Sequence, residues 1–154
     1  MFTTVVGIIV AFLIFGQVTD YVTRIQPLQQ TATLDTDAKN LIIYHQAAVA
    51  FAHTQPSFTG AISDASLTLP AGYRKAATWS SAVTGGVVAT HPADGLPSRA
   101  PGAFIASLLR ASPNDFGVGF AEHDHFASSA VSGSTLAINV ALPDGTPLYI
   151  SPLN

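Results

Sequence analysis

The amino-acid sequence predicts an α+β protein: an N-terminal transmembrane helix, then an amphipathic helix packed on a small antiparallel sheet. Three observations lead there. Met1 to Thr19 carries no charged side chain. Ala38, Leu41, Tyr44, Ala48 and Phe51 recur at helical spacing. Leu136, Ile138, Val140 and Leu142 alternate with Thr135, Ala137, Asn139 and Ala141, the period of a half-buried strand. Helices come first and strands after, with one late helix between them. That order suits an α+β domain whose sheet is covered on one face.

The first nineteen residues would cover about 28 Å as a helix, close to a hydrocarbon core of ~30 Å. The core of the run, Val5 to Phe15, is apolar all round, so no face is reserved for water. A lipid bilayer is therefore the first expected partner, and residues 1–19 are read as a single span. Gly7 and Ala11 lie four apart, a spacing that permits close packing of a second membrane helix. A cleaved secretory signal would need a basic stretch ahead of the run and a small-residue cleavage site, and neither is seen. A helix buried in a soluble core is the other alternative, but a chain this short struggles to surround one. Only Arg24 and Lys39 follow the span closely. Taken literally, the positive-inside count puts the C-terminal side in the cytoplasm.

Residues 20–34 form a juxtamembrane linker. Val18, Tyr21, Val22 and Ile25 keep helical spacing, so the first helix extends until Pro27 breaks it. Residues 35–154 are then one small α+β domain. Its first helix is expected over 35–54, with Asp35, Thr36 and Asp37 at the cap and first turn and Gln55-Pro56 at the end. The core stripe is Leu41, Tyr44, Ala48 and Phe51, with Ala38 ahead of it.

Residues 56–78 read as turns. Trp79 to Thr90 divides into two short strands at Thr84-Gly85-Gly86, and 91–100 is a loop. A short helix follows over 101–111, opened by Pro101, with Phe104, Ile105, Leu108 and Leu109 on one face and Ser112-Pro113 as its stop. Phe116 to Phe120 alternates large residues with glycine as a strand. Residues 135–142 form the next strand, and Pro143-Asp144-Gly145-Thr146 is a turn. Pro147 to Ile150 returns as a last edge strand, antiparallel to 135–142.

Composition excludes several function classes. Charged residues make up 10% of the 154 and hydrophobic residues 48%, against about 25% charged in an average soluble domain. Such a chain is not disordered. Six Lys plus Arg against nine Asp plus Glu gives −3. No basic stripe is present to hold phosphates, so nucleic acid is not an expected partner. The absence of cysteine excludes disulfides and thiolate metal sites.

Among candidate chemical groups, Glu122-His123-Asp124-His125 stands out. In an extended chain His123 and His125 would face one way, as a two-histidine metal clamp needing a third ligand such as His91 or His45. Continuing the preceding strand, however, would turn Glu122 and Asp124 toward its buried face, which is costly. The expectation is therefore a strand stopping near Ala121, a solvated loop and no metal. His45 and His53 are placed on the flank of the helical stripe. Ser80, Ser81, Ser128 and Ser129 lack a nucleophile elbow, and no phosphate-cradling glycine loop precedes a lysine. The reading is of a chain that is not an enzyme, with no cofactor and no small-molecule substrate.

The segment Asn40-Leu41-Ile42-Ile43-Tyr44 through Ala48-Val49-Ala50 to Pro56-Ser57-Phe58-Thr59-Gly60, followed by Ser66-Leu67-Thr68-Leu69-Pro70 and Tyr73, resembles the PilM family of type IVb (thin) pilus systems. The late helix of 101–109 before C-terminal strands is also similar. The resemblance is strongest over 38–75. It implies a non-enzymatic inner-membrane component of pilus biogenesis, with the N-terminus in the cytoplasm and the folded domain in the periplasm. It implies other pilus-assembly proteins or pilin as partners. One alternative is a minor pilin or pseudopilin. Against it, no basic leader ending in glycine precedes Phe2, and Val5-Val6-Gly7 holds no acidic residue where pilins carry one. Another is a membrane-tethered periplasmic module for a small ligand or metal, with its site between the sheet and the 101–111 helix.

Overall fold

The computed structural model describes residues 30–75, 77–93, 101–113, 115–130, 135–138 and 140–153. The expected span over 1–19, with Gly7 and Ala11, and Pro27 in the linker lie outside the described residues. Among those described, no helix is long and apolar enough to cross a membrane. The chain divides into two units, Met1–Thr33 and Leu34–Asn154.

Helix α1 is described from residue 30 to residue 54. It is already helical ahead of the start expected at residue 35. Leu34 is the reason, since it is buried in the same cluster as Ala38, Leu41 and Tyr44, and that burial draws the preceding turn into the helix. Asp35 consequently caps nothing; its carboxylate accepts a 2.7 Å bond from Arg110. Ala38, Leu41, Tyr44 and Ala48 are at most 1% exposed. Phe51 is only half-buried, and Ala52 takes the deep position beside it.

Among the described residues seven strands form one antiparallel sheet. They are β1 (Gly60–Ile62), β2 (Trp79–Thr84), β3 (Val87–Pro92), β4 (Val118–Glu122), β5 (His125–Ser128), β6 (Thr135–Ala137) and β7 (Pro147–Pro152). Their spatial order is β1-β2-β3-β7-β4-β5-β6. Strands β2 and β3 meet at Gly85-Gly86, where φ values of 55° and 78° suit a tight hairpin that only glycine enters freely. A short 3-10 turn (Asp64–Ser66) lies between β1 and β2, and helix α2 (Pro101–Ala111) lies between β3 and β4. The bounds of α2 are those that Pro101 and Ser112-Pro113 predict.

Register separates the two faces of the sheet. Ser81 pairs with Thr90, Thr90 with Tyr149, and Tyr149 with Val118, so these four point to one side. Helices α1 and α2 cover that side, where Leu41, Tyr44, Phe104 and Leu108 join Trp79, Val118 and Tyr149 in the main core. Ala48 and Ala52 extend the contact over Ile62, Val83 and Val88. The opposite face is covered as well, contrary to the one-sided sheet expected. There Ala89, Ala121, Phe126, Leu148 and Ile150 pack with Ile138, and Leu142 leans on them. This second cluster explains why β3 is buried along its whole length.

Two expectations for the C-terminal strands are corrected. The alternation over 135–142 yields only the three-residue β6, because Ile138 leaves the ladder to roof the second cluster. Strand β7 is central, not an edge, and it pairs with β3 and β4 instead of with β6. Its proline is accommodated because Pro147 stands at the strand's first position, opposite Phe120.

Candidate functional site

Three groupings among the described residues are candidates for function. The first joins α1 to the sheet through His45, which is 2% exposed. Its Nδ1 lies 2.8 Å from Thr90 Oγ1, and its Nε2 lies 2.8 Å from Ser151 Oγ. Thr90 Oγ1 in turn lies 2.7 Å from Ser81 Oγ. The imidazole also stacks on the Tyr149 ring, centroids 4.2 Å apart. Burial pushes its pKa down to about 4, opposed by the charge of Asp115. The ring is therefore neutral at neutral pH, with both nitrogens occupied.

The second grouping gathers the residues that marked the chain's resemblance. Trp79 Nε1 donates to Asn40 Oδ1 at 2.7 Å, Tyr73 Oη donates to the same oxygen at 2.9 Å, and Asn40 Nδ2 donates to the Arg74 carbonyl at 2.7 Å. One turn along, Tyr44 Oη donates to Asp64 Oδ1 at 2.5 Å and Lys75 Nζ donates to Asp64 Oδ2 at 2.5 Å. The Lys75 ammonium stands 4.5 Å from the Tyr44 ring centroid. Lys75 and Tyr44 hold the Asp64 carboxyl below the usual carboxylate range. Burial first, then the Asp64 bond, push the Tyr44 hydroxyl well above its ordinary range. Asn40, Tyr44 and Tyr73 thus clamp α1 to the segment leading into β2.

The third grouping is an open groove of about 830 Å³ beside the sheet. Val87, Phe126 and Ile150 line it, with Phe116, Leu136 and Asp115 beside them. Phe116 is 65% exposed and Leu136 42% exposed. Two of the three exposed large hydrophobic residues of the described chain therefore line this groove; Ile43 is the other. Among the described residues Asp115 is its one charged lining residue. That carboxylate accepts the Gly117 N–H at 2.9 Å and the Tyr149 hydroxyl. Burial, followed by the Asp115 bond, pushes the Tyr149 hydroxyl up to about 12.

Of the sequence-predicted positions, Leu41, Tyr44 and Ala48 lie in the core and Phe51 at its margin, as described above. The histidine pair is not arranged as a clamp. Strand β4 continues to Glu122, which pairs with His125, and His123 and Asp124 make the tight turn with φ values of 49° and 61°. The extended geometry that would align the two rings is therefore absent. His125 Nδ1 lies 2.8 Å from the His123 carbonyl oxygen, and His123 Nε2 lies 3.7 Å from Asp144 Oδ2. His45 is occupied elsewhere, and His91 Nδ1 lies 3.0 Å from the Pro92 carbonyl. Among the described residues no group of three or more His, Cys, Asp or Glu is placed to hold a metal ion.

The sequence reading missed Thr90, Ser151 and the groove. One signal was present for the first two. Ser81 sits on the same alternation as Trp79 and Val83, and an inward hydroxyl requires an inward partner. No local signal marks Phe116 as exposed, because that depends on strand order.

Comparison with known proteins agrees with this architecture. The family model described as PilM matches residues 8–150. The chain is similar to a crystal structure of a protein described as PilM from Escherichia coli B7A. The two share 20% identity at a TM-score of 0.56, over 80% of this chain and 94% of that one. At that identity the likeness is one of fold. No curated protein matches the chain.

Proposed function

The chain belongs to the PilM family, and from that premise we propose that it is a non-enzymatic inner-membrane component of type IVb pilus biogenesis, acting through protein–protein contacts in the assembly apparatus. In this reading residues 1–19 tether the chain to the bilayer, the N-terminus is cytoplasmic and the domain works in the periplasm. The observation that carries the contact role is how the domain divides its chemistry. The polar groups that α1 turns inward are bonded within the chain: His45 to Thr90 and Ser151, Asn40 to Trp79, and Tyr44 to Asp64. The accessible surface instead offers an apolar groove with exposed Phe116 and Leu136. A cluster of this kind is a feature of surfaces that meet other proteins.

Deleting the gene and scoring piliation by electron microscopy tests this. The expectation is loss of pili, restored by the wild-type chain, with the protein absent from sheared filaments. Its recovery as a stoichiometric part of sheared pili would instead favour a minor pilin. Normal piliation in the deletion strain would contradict the proposal.

A further inference from the structure

Within the contact role proposed above, on which this inference rests for the partner's setting, the groove itself specifies what it takes. We propose that it receives an apolar protein segment carrying one lysine or arginine, whose cation pairs with Asp115. Among the described residues the lining is apolar over Val87, Phe116, Phe126, Leu136 and Ile150; Ser112, Thr135 and Ser151 add hydroxyls, and Asp115 is its one charged residue. An ionised carboxylate accepts up to about four hydrogen bonds, and Asp115 receives two from its own chain. Those two bonds leave acceptor capacity on a carboxylate that lines the groove. A purely apolar occupant would strip water from that charge without replacing it, at a cost. An anionic occupant would be repelled. A cation flanked by apolar side chains satisfies both the charge and the apolar lining.

The site is also wired to α1. Asp115 is bonded to the Tyr149 hydroxyl, the Tyr149 ring stacks on His45, and His45 is bonded to Ser151, which lines the groove. Occupancy at Asp115 therefore bears on the contacts that hold α1 to the sheet.

Panning a random heptapeptide phage library on the full chain in detergent micelles, with empty micelles as the subtraction, tests the assignment. The expected consensus places Lys or Arg beside aromatic or aliphatic residues. Peptides of that consensus should bind about tenfold more weakly to Asp115→Asn and to Leu136→Lys, which puts a cation on the groove wall. An acidic or uncharged consensus, binding unaffected by both substitutions, or no enrichment over empty micelles would each overturn it. Piliation reads the contact role of the whole chain, so the two ideas fail separately.

Discussion

His45 Nε2 lies 2.8 Å from Ser151 Oγ, a part-buried bond between residues 106 positions apart. Together with the 2.8 Å bond to Thr90, it ties α1 to both β3 and β7. A histidine in such a place is held neutral, and that has a consequence for stability against pH.

The folded-state pKa is lowered to about 4 from 6.5. The unfolded chain therefore takes up this proton first as pH falls. Stability from this group is complete above about 6.5 and is lost between there and about 4. A loss of roughly 2–3 kcal/mol across that window is expected, measured by urea unfolding at stepped pH. His45→Gln keeps hydrogen-bonding capacity but cannot titrate, so its difference from wild type should shrink toward low pH. A constant difference would remove His45 from the pH response.

Leu41 and Phe51 belong to the same sequence stripe but differ in depth. Leu41 is 1% exposed, whereas Phe51 is half-buried. Leu41→Ala should cost about 3 kcal/mol and Phe51→Ala distinctly less, even though Phe51 loses more atoms. Leu41→Asp should prevent folding, because it would bury an unpaired charge. Denaturant midpoints of the two alanine variants check the order.

Gly119 is needed for a close approach. A Cβ there would stand 2.0 Å from the Ala127 carbonyl oxygen and 2.7 Å from the Phe126 ring. Phe126 crosses β4 at this point to reach the second cluster. Gly119→Ala should destabilise by about 2 kcal/mol or more, since backbone must move. A thermal unfolding midpoint equal to wild type would show that the two strands do not meet this tightly.

Asp37 is 8% exposed, and burial raises its carboxyl above the usual range with no hydrogen bond opposing the shift. The folded state thus favours its protonated form. Its contribution is fully present below the unfolded pKa and is lost as pH rises through the folded one. Asp37→Asn should therefore raise stability at pH 7, by about 1 kcal/mol. A calorimetric midpoint lower than wild type at pH 7 would contradict this.

What was legible in the sequence was local and periodic. The α1 stripe, the Pro101-to-Ser112 bounds of α2 and the Gly85-Gly86 hairpin each rest on a few neighbouring residues. What was not legible depends on strand order. Placing β7 between β3 and β4 makes Pro147–Ile150 central, creates the second cluster under Ile138 and leaves Phe116 and Leu136 beside an open groove. No spacing within β6 or β7 encodes that choice. The start of α1 is not legible for a similar reason, since Asp35 looks like a cap until Arg110, 75 positions away, claims its carboxylate. Histidine reads as polar, which puts His45 on the flank of the stripe, whereas two inward hydroxyls accommodate its burial.

The central claim is that the folded domain works while held at a bilayer by its own first residues. Breaking cells that express the untagged full-length chain, separating membranes without detergent, and taking the intact mass of the recovered protein tests it most directly. Recovery is expected in the membrane fraction at the full mass of 16.0 kDa, released by detergent and not by salt. Recovery in the aqueous fraction, or at a mass lacking the N-terminal apolar run, would contradict it.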